Sequence, residues 1–248
     1  MQKYSNVVIL TGAGISAESG VSTFRDAGGI WQKYDYKKVS TPDGFRANPD
    51  LVHDFYNMRR TGLAKYNPNQ AHTAVARLER KFDGSVLVVT QNVDDLHERA
   101  GTQNLIHMHG QLYEVKCKVC GKVTKTASEI GRQTVCSHCG VPGGLRPNVV
   151  WFGEVPMFMD TIYSALAKCD LFVSIGTSGT VYPAAGFVQE VRSHGRAHTL
   201  EINLEPSEGV SLFHEVRHGS ASQLVPEFVS QLLDNAQINW GKAASWLS

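Results

Sequence analysis

Four cysteines in the middle of the chain have the type and spacing of a metal site. They follow the pattern C-x2-C-x15-C-x2-C, which lies within the range typical of zinc ribbons. The four residues are Cys117, Cys120, Cys136 and Cys139. Four thiolates fill the tetrahedral coordination of Zn²⁺ and leave no position for a substrate, so we expect one structural zinc ion. Two disulfides are the alternative, which a cytosolic chain disfavours.

A glycine-rich turn near the N-terminus has the pattern of a dinucleotide-binding loop. Gly12, Gly14 and Ala17 match G-x-G-x-x-[G/A] directly after the apolar run NVVIL. Glycines let the backbone approach a pyrophosphate, and a helix N-terminus favours its charge. A dehydrogenase would carry an acidic ribose ligand on a second strand about 20 residues later. Here that region reads FRDAGGIWQKYDYKK, so we expect a dinucleotide site of another design, or an ordinary tight turn.

Two later turns could complete such a site. Gly176–Ser178 follows the apolar run LFVSI, and Asn203 and Glu205, at the end of the run HTLEIN, are candidate ribose ligands. Open α/β sheets bind ligands at the carboxyl ends of their strands, where all three turns would meet.

The elements that must position these residues alternate along the chain. Continuous apolar runs, typical of strands buried on both faces, lie at residues 6–10, 85–90, 171–176 and 198–203. Helical patterns lie at residues 71–81, 159–168 and 225–233. We therefore predict an α/β fold, a Rossmann-like doubly wound parallel sheet.

Two segments interrupt this alternation. Residues 27–70 contain aromatic residues and one good helix, and residues 111–145 contain the four cysteines. We predict that both form a smaller inserted lobe with a helical segment and a zinc ribbon. The large dinucleotide-binding domain would then comprise residues 1–26, 71–110 and 146–248.

Composition excludes several functional classes. The chain has 248 residues, 42% of them hydrophobic and 19% charged, with a net charge of +1. No long basic run indicates direct nucleic-acid binding, and the lysines around the cysteine pairs are few. No apolar stretch reaches the roughly 18–20 residues of a membrane span, and the first residues resemble no targeting leader. We expect a cytoplasmic protein without a membrane partner.

Several long motifs together resemble the sirtuins, the NAD-dependent protein-lysine deacylases. GAGISAESGVSTFRD, TQNVDDLHERAG, HMHG, the two cysteine pairs, RPNVVWFGE, GTS and INLEP occur in the order of that family and span most of the chain. The resemblance implies NAD as co-substrate. In the implied reaction the acyl-lysine oxygen attacks C1′ of the nicotinamide ribose, nicotinamide leaves, and lysine and O-acyl-ADP-ribose result.

The resemblance implies a general base and two catalytic partners in the cofactor site. The base is His109, because the family's histidine directly precedes the glycine in HMHG. An imidazole titrates near pH 6.5 and can accept a ribose proton. His107 would share a face with His109 on an extended segment, so geometry alone does not separate them. Asn92 and Asp94 would hold nicotinamide and its ribose.

The remaining cofactor contacts also follow from the resemblance. The full expected set is Gly12, Ala13, Gly14, Ser16, Phe24, Arg25, Gln91, Asn92, Asp94, Gly176, Thr177, Ser178, Asn203, Leu204, Glu205 and Ala221.

RPNVVWFGE resembles the segment on which sirtuins bind an acylated-lysine protein as an added strand. Val150 and Phe152 would wall the acyl-lysine tunnel. An ordinary edge strand is the alternative that composition alone allows.

A helix in the first insertion indicates the acyl group. Asn48 can cap it, Pro49 suits its first position, and Leu51, Phe55 and Met58 would form one apolar stripe. Tyr56 and Arg59 lie three residues apart and resemble the pair of class III sirtuins, which remove succinyl, malonyl or glutaryl groups. A guanidinium can bind a terminal carboxylate bidentately, and a phenol adds one hydrogen bond.

Two other functions remain as alternatives. Mono-ADP-ribosyl transfer would use the same release of nicotinamide. A non-catalytic zinc-ribbon regulator would bind NAD without turnover.

Overall fold

The computed structural model describes residues 4–24 and 28–234 and has two sheets. Its strands are, in chain order, β1 (Asn6–Thr11), β2 (Ser85–Thr90), β3 (Leu105–His107), β4 (Gly110–Cys117), β5 (Val123–Lys125), β6 (Leu145–Val149), β7 (Leu171–Ile175), β8 (His198–Asn203) and β9 (Glu215–His218). The six-stranded sheet has the order β3-β2-β1-β7-β8-β9, and all its neighbours are parallel. This is the Rossmann order. The chain adds strands outward on one side of β1 and then on the other side from β7, so the strand order reverses between β1 and β7.

Ten α-helices occur in the described part of the chain. They are α1 (Ala13–Ala17), α2 (Ile30–Lys33), α3 (Tyr36–Val39), α4 (Pro42–Ala47), α5 (Pro49–Gly62), α6 (Gln70–Lys81), α7 (Leu96–Ala100), α8 (Met159–Leu166), α9 (Phe187–Ser193) and α10 (Ala221–Leu233). Short 3₁₀ helices lie at Leu63–Lys65, Ala184–Gly186 and Val210–Leu212. Within the described residues, none of these helices has both the length and the apolar character that crossing a bilayer requires.

The parallel sheet is buried on both faces. On β1, Val7 and Ile9 pack toward α6 and α10, whereas Val8 and Leu10 pack toward α8 and α9. Side chains on a strand alternate between faces, so a continuous apolar run serves two helical layers at once. The prediction of a doubly wound parallel sheet with a smaller lobe is confirmed.

The four predicted strands of this sheet are present, but β3 and β9 did not stand out in the sequence. Both are edge strands, of three and four residues. Edge strands need not be apolar on both faces, so His107 and the polar residues of β9 are accommodated.

The last described helix begins four residues earlier than the pattern predicts. The sequence pattern predicted a start at residue 225, but α10 runs from Ala221 and carries Pro226 inside it. The carboxylate of Glu18, which is distant in sequence, accepts from the Ser222 N–H at 2.9 Å. It also accepts from the hydroxyls of Ser220 and Ser222. A cap supplied from elsewhere in the fold has no local sequence signal.

The smaller lobe contains the second sheet, with the antiparallel order β5-β4-β6. A small cluster of Val115, Ile130 and Leu145 packs with two of the cysteines. The predicted domain boundary at residue 146 falls inside β6, which pairs with β4. The domain division itself stays a prediction.

Helix α5 has the predicted start and a different buried face. The Asn48 side chain accepts from the Leu51 N–H at 3.0 Å, and Pro49 is the first helical residue. Met58 is 50% exposed, so the expected stripe through Leu51 and Phe55 does not continue to it. Instead, polar residues of the helix are buried because they contact the cysteine-bearing segment.

These contacts join α5 to that segment. Asn57 Nδ2 donates to the carbonyl oxygen of Ile130 at 2.8 Å, and the Ile130 N–H donates to Asn57 Oδ1 at 3.0 Å. The fully buried Arg60 donates from Nε to the Leu112 carbonyl at 2.7 Å and from Nη1 to Asn57. The helix that carries Tyr56 and Arg59 is therefore fixed to β4 and to the segment between the cysteine pairs.

Asn57→Ala should weaken the smaller lobe. It leaves the buried N–H and carbonyl of Ile130 without partners, which we expect to cost about 2–3 kcal/mol. Hydrogen exchange of the β4 amides measures the free energy of opening this lobe. Gln133→Ala, an exposed amide in the same segment, should leave exchange unchanged; equal exchange in both variants would contradict the interpretation.

Candidate active site

Two glycine turns meet at the point where the strand order reverses. Gly12 N–H donates to the Ile175 carbonyl at 3.0 Å, and Gly14 N–H donates to the Gly176 carbonyl at 2.8 Å. A Cβ on Gly14 would lie 2.7 Å from Gly176 Cα, and one on Gly176, at φ +63°, would lie 2.4 Å from Ile15 N. Contact between the turns after β1 and β7 therefore requires glycine in both.

A cavity of about 1000 Å³ opens over these turns. Most of the sequence-predicted site residues line it: Gly12, Ala13, Gly14, Phe24, Tyr56, Arg59, Gln91, Asn92, His109, Val150, Phe152, Gly176, Thr177, Ser178, Asn203, Leu204, Glu205 and Ala221. A large cavity at the carboxyl ends of strands on both sides of the switch point is where a dinucleotide binds in this architecture. The residues present fit such a ligand.

A second cavity of about 360 Å³ contains the rest of the set. Ser16 and Asp94 line it, and Phe24, Arg59 and Asn92 line both cavities. Arg25 lies outside the described residues, so its predicted contact has no structural counterpart here.

His109 occupies the turn between β3 and β4 and faces the larger cavity. Its Nδ1 lies 3.2 Å from the Gln91 carbonyl oxygen. A carbonyl can only accept, so Nδ1 carries the proton and Nε2 keeps a lone pair. Burial lowers the pKa of His109, against a smaller opposing effect of the Gln91 carbonyl. A neutral imidazole with a free nitrogen has the form of a general base.

The loop after β2 holds Asn92 and Asp94 in buried positions. Asn92 Nδ2 donates to the Gly12 carbonyl at 3.0 Å and to Ser16 Oγ at 3.1 Å. Both amide protons are used, which leaves Oδ1 as an acceptor for a ligand donor. Burial raises the pKa of Asp94, whose Oδ1 accepts from the Leu96 N–H at 3.2 Å.

Two buried histidines lie behind this loop, and we assigned no role to either from the sequence. His72 Nε2 lies 3.4 Å from Ser16 Oγ, and His97 Nε2 lies 3.0 Å from Thr11 Oγ1. Burial lowers the pKa of His72 to about 4, so its ring is neutral and supports the cofactor loop through hydrogen bonds alone. Their partners lie far away in sequence, which is why spacing did not reveal them.

Tyr56 and Arg59 of helix α5 line the larger cavity. The Tyr56 hydroxyl accepts from Trp151 Nε1 at 3.1 Å and lies 3.2 Å from Ser40 Oγ. Burial raises the pKa of Tyr56, so the phenol keeps its proton. Within residues 4–24 and 28–234 the Arg59 guanidinium makes no hydrogen bond or ion pair and lies over the Phe24 ring at 4.9 Å. Burial lowers the pKa of Arg59, so an incoming anion would be favoured there.

The segment after β6 forms the wall between His109 and α5. The Val150 N–H donates to the His109 carbonyl at 2.9 Å, and the Phe152 N–H donates to the Ser40 carbonyl at 3.0 Å. Arg146 pairs bidentately with Glu154 at 2.6 and 3.0 Å and stacks on the Trp151 ring at 3.4 Å. Arg146, Trp151 and Glu154 lie inside the recognised motif, but we assigned roles only to Val150 and Phe152.

The four cysteines come together as the spacing predicts. Their Sγ atoms all lie within 4.8 Å of one another, with Cys117 and Cys139 at 3.8 Å and Cys120 and Cys136 also at 3.8 Å. Tetrahedral zinc with Zn–S distances of about 2.3 Å requires S···S separations near 3.8 Å. A disulfide needs about 2.05 Å, so the geometry fits zinc and excludes the disulfide alternative.

A parallel sheet in the Rossmann order, a large cavity at its switch point and a four-thiolate lobe define a nucleotide-binding protein of the α/β class. The chain belongs to the Sir2 family, whose model matches residues 12–183. This confirms the resemblance to the sirtuins.

Individual relatives agree over nearly the whole chain. An NAD-dependent protein deacylase of Vibrio vulnificus (strain YJ016) is 54% identical over 238 residues, which cover 95% of this chain and 97% of the relative. The crystal structure of a Sir2 homologue–NAD complex is 36% identical, covers 94% of this chain and 91% of its own, and has a TM-score of 0.85. A structure of Sir2 bound to acetylated peptide is 26% identical, with coverages of 94% and 93% and a TM-score of 0.77.

Removing zinc should unfold the smaller lobe and spare the parallel sheet. Metal–thiolate binding in such lobes contributes roughly 10–16 kcal/mol of apparent free energy, which is also folding free energy. After EDTA treatment, hydrogen exchange should accelerate across residues 117–145 and remain slow in β1 and β2, and added Zn²⁺ should restore protection. EDTA saturated with zinc is the control. Unchanged protection after chelation would contradict a structural zinc site.

Proposed function

We propose that this chain is an NAD-dependent protein-lysine deacylase that removes succinyl and malonyl groups as well as acetyl groups. The observation that carries the proposal is one cavity whose lining includes the glycine turns after β1 and β7, His109, and Arg59 of α5. A dinucleotide, a basic nitrogen and a cation for the acyl carboxylate thus share a single space.

Each group of residues would have a separate role in the reaction. NAD, when bound, supplies a ribose carbon that is attacked as nicotinamide leaves. His109 Nε2, whose ring is oriented by Gln91, would accept the proton of a ribose hydroxyl. The Asn92 Oδ1 acceptor and the Asp94 carboxyl would hold the nicotinamide carboxamide and its ribose. Asn203, Leu204, Glu205 and Ala221, which also line this cavity, would contact the adenosine.

The substrate protein would bind as an added strand beside the segment that follows β6. That segment is anchored by the Arg146–Glu154 pair and presents Val150 and Phe152 to the cavity. Main-chain pairing gives affinity without strong sequence preference, while the tunnel selects the acyl-lysine side chain. We expect the protein to act in the cytoplasm and to bind no nucleic acid directly.

A panel of otherwise identical acetyl-, succinyl- and malonyl-lysine peptides tests the activity. With NAD, mass spectrometry should show unmodified lysine, nicotinamide and O-acyl-ADP-ribose in equal amounts. His109→Ala should abolish the deacylated product because, among the described residues, His109 is the only histidine that lines this cavity. An ADP-ribosylated acceptor without deacylated peptide would instead indicate a transferase, and NAD binding without nicotinamide release would indicate a regulator.

Arg59→Met should lower the removal of succinyl groups far more than the removal of acetyl groups. A charged hydrogen bond contributes roughly 1.5–3 kcal/mol, so kcat/KM for succinyl-lysine should fall roughly 10- to 150-fold. Deacetylation should change little, because methionine keeps the apolar contact with Phe24. Arg46→Met, at an exposed guanidinium, is the matched control. Equal losses on both substrates would refute the role of Arg59.

A further inference from the structure

His107 is held between two hydrogen-bond acceptors. Its ring is buried at the end of β3, with Nδ1 2.9 Å from the Asn92 carbonyl oxygen and Nε2 2.8 Å from Glu98 Oε1. A carbonyl and an ionised carboxylate have no proton to give. Both ring nitrogens must therefore donate, which only the imidazolium form can do.

We propose that His107 is a positioning residue for the deacylase: a buried imidazolium, paired with Glu98, that fixes the Asn92 main chain and with it the nicotinamide end of the site. The inference rests on the proposed function. His107 lines neither cavity, so it acts through Asn92 and not on a ligand.

The position of Asn92 explains why its main chain matters. Its side chain bridges the loop after β1 through Gly12 and Ser16, and its N–H donates to Thr90 Oγ1 at 3.0 Å. The bond from His107 to its carbonyl is the fourth restraint on this residue. Without that donor, a buried carbonyl would lack a partner and the direction of the Asn92 amide would relax.

The charges around His107 favour the ionised form. Burial alone lowers the pKa of His107, but the hydrogen bond and charge of Glu98, the Asn92 carbonyl and the charge of Asp94 outweigh it and raise the pKa. The pKa of Glu98 is lowered overall. Burial raises it, but the hydrogen bond and charge of His107, with the charge of Lys125 on β5, outweigh burial. Burial, with the neighbouring rings of His72 and His107, holds the pKa of His97 on α7 well below its ordinary value, so His97 adds no charge beside His107.

This arrangement predicts a pH dependence with a definite sign. The raised pKa extends the doubly protonated form of His107 above the ordinary titration range of histidine, and the second donor is lost as pH rises through the raised pKa. One of the two hydrogen bonds then breaks, and kcat/KM for NAD should fall on the alkaline side. Because Asn92 faces the cofactor, KM for NAD should rise while KM for the acyl peptide stays constant.

Three variants test the charge of the His107–Glu98 pair separately from the hydrogen-bond donors at position 107. Glu98→Gln retains an acceptor but removes the charge. The fall of kcat/KM for NAD at high pH, the alkaline limb of its pH profile, should therefore move to lower pH. His107→Asn retains one donor toward the Asn92 carbonyl, so it should be active without this limb. His107→Leu retains no donor and should raise KM for NAD about tenfold at every pH. If His107→Leu fails to fold, the other two variants still decide the question.

The ring ¹⁵N shifts of His107 in the free wild-type protein provide a readout independent of activity. Both nitrogens should stay protonated to a higher pH than in an ordinary histidine, and an ordinary or lower ring pKa would overturn the inference. An alkaline limb at the same pH in wild type, Glu98→Gln and His107→Asn would also overturn it. A wild-type protein that deacylates no peptide would refute the proposed function instead, so the two failures are distinguishable.

Discussion

The site depends on the close contact between the turns that follow β1 and β7. Backbone atoms of Gly14 and Gly176 occupy the space that a Cβ on either residue would need. This contact forms the base of the larger cavity at the point where the strand order reverses. The carboxyl ends of β1, β7 and β8 all face that cavity. The parallel sheet thus supplies a rigid base, and the chemically active side chains lie on loops above it.

The smaller lobe supplies the opposite wall of the cavity through helix α5. Helix α5 carries Arg59 on its cavity side and attaches to β4 and the cysteine segment through Asn57 and Arg60. The cysteine-bearing segment has only a small apolar cluster, so a metal site supplies much of its folding free energy. A zinc ion would thereby help to hold helix α5, which contacts this segment through Asn57, against the rest of the molecule.

The sequence was informative wherever a residue's environment follows from its neighbours in the chain. Buried runs such as NVVIL, the cap at Asn48 and the spacing of the cysteines each carry a local signal, and the structure has the corresponding elements. The edge strands β3 and β9 gave no such signal. Neither did the contacts of Glu18 with the start of α10 or of His107 with Asn92, because the partners lie far apart in sequence and only the fold brings them together.

A crystal structure with ADP-ribose and a succinyl-lysine peptide bound together tests the central claim most directly. The account predicts the pyrophosphate against Gly12–Gly14, the ribose within hydrogen-bond distance of His109 Nε2, and the succinyl carboxylate on Arg59 in the same cavity. An ADP-ribose bound away from the β1–β7 switch point, or a carboxylate directed to solvent with Arg59 unengaged, would contradict it.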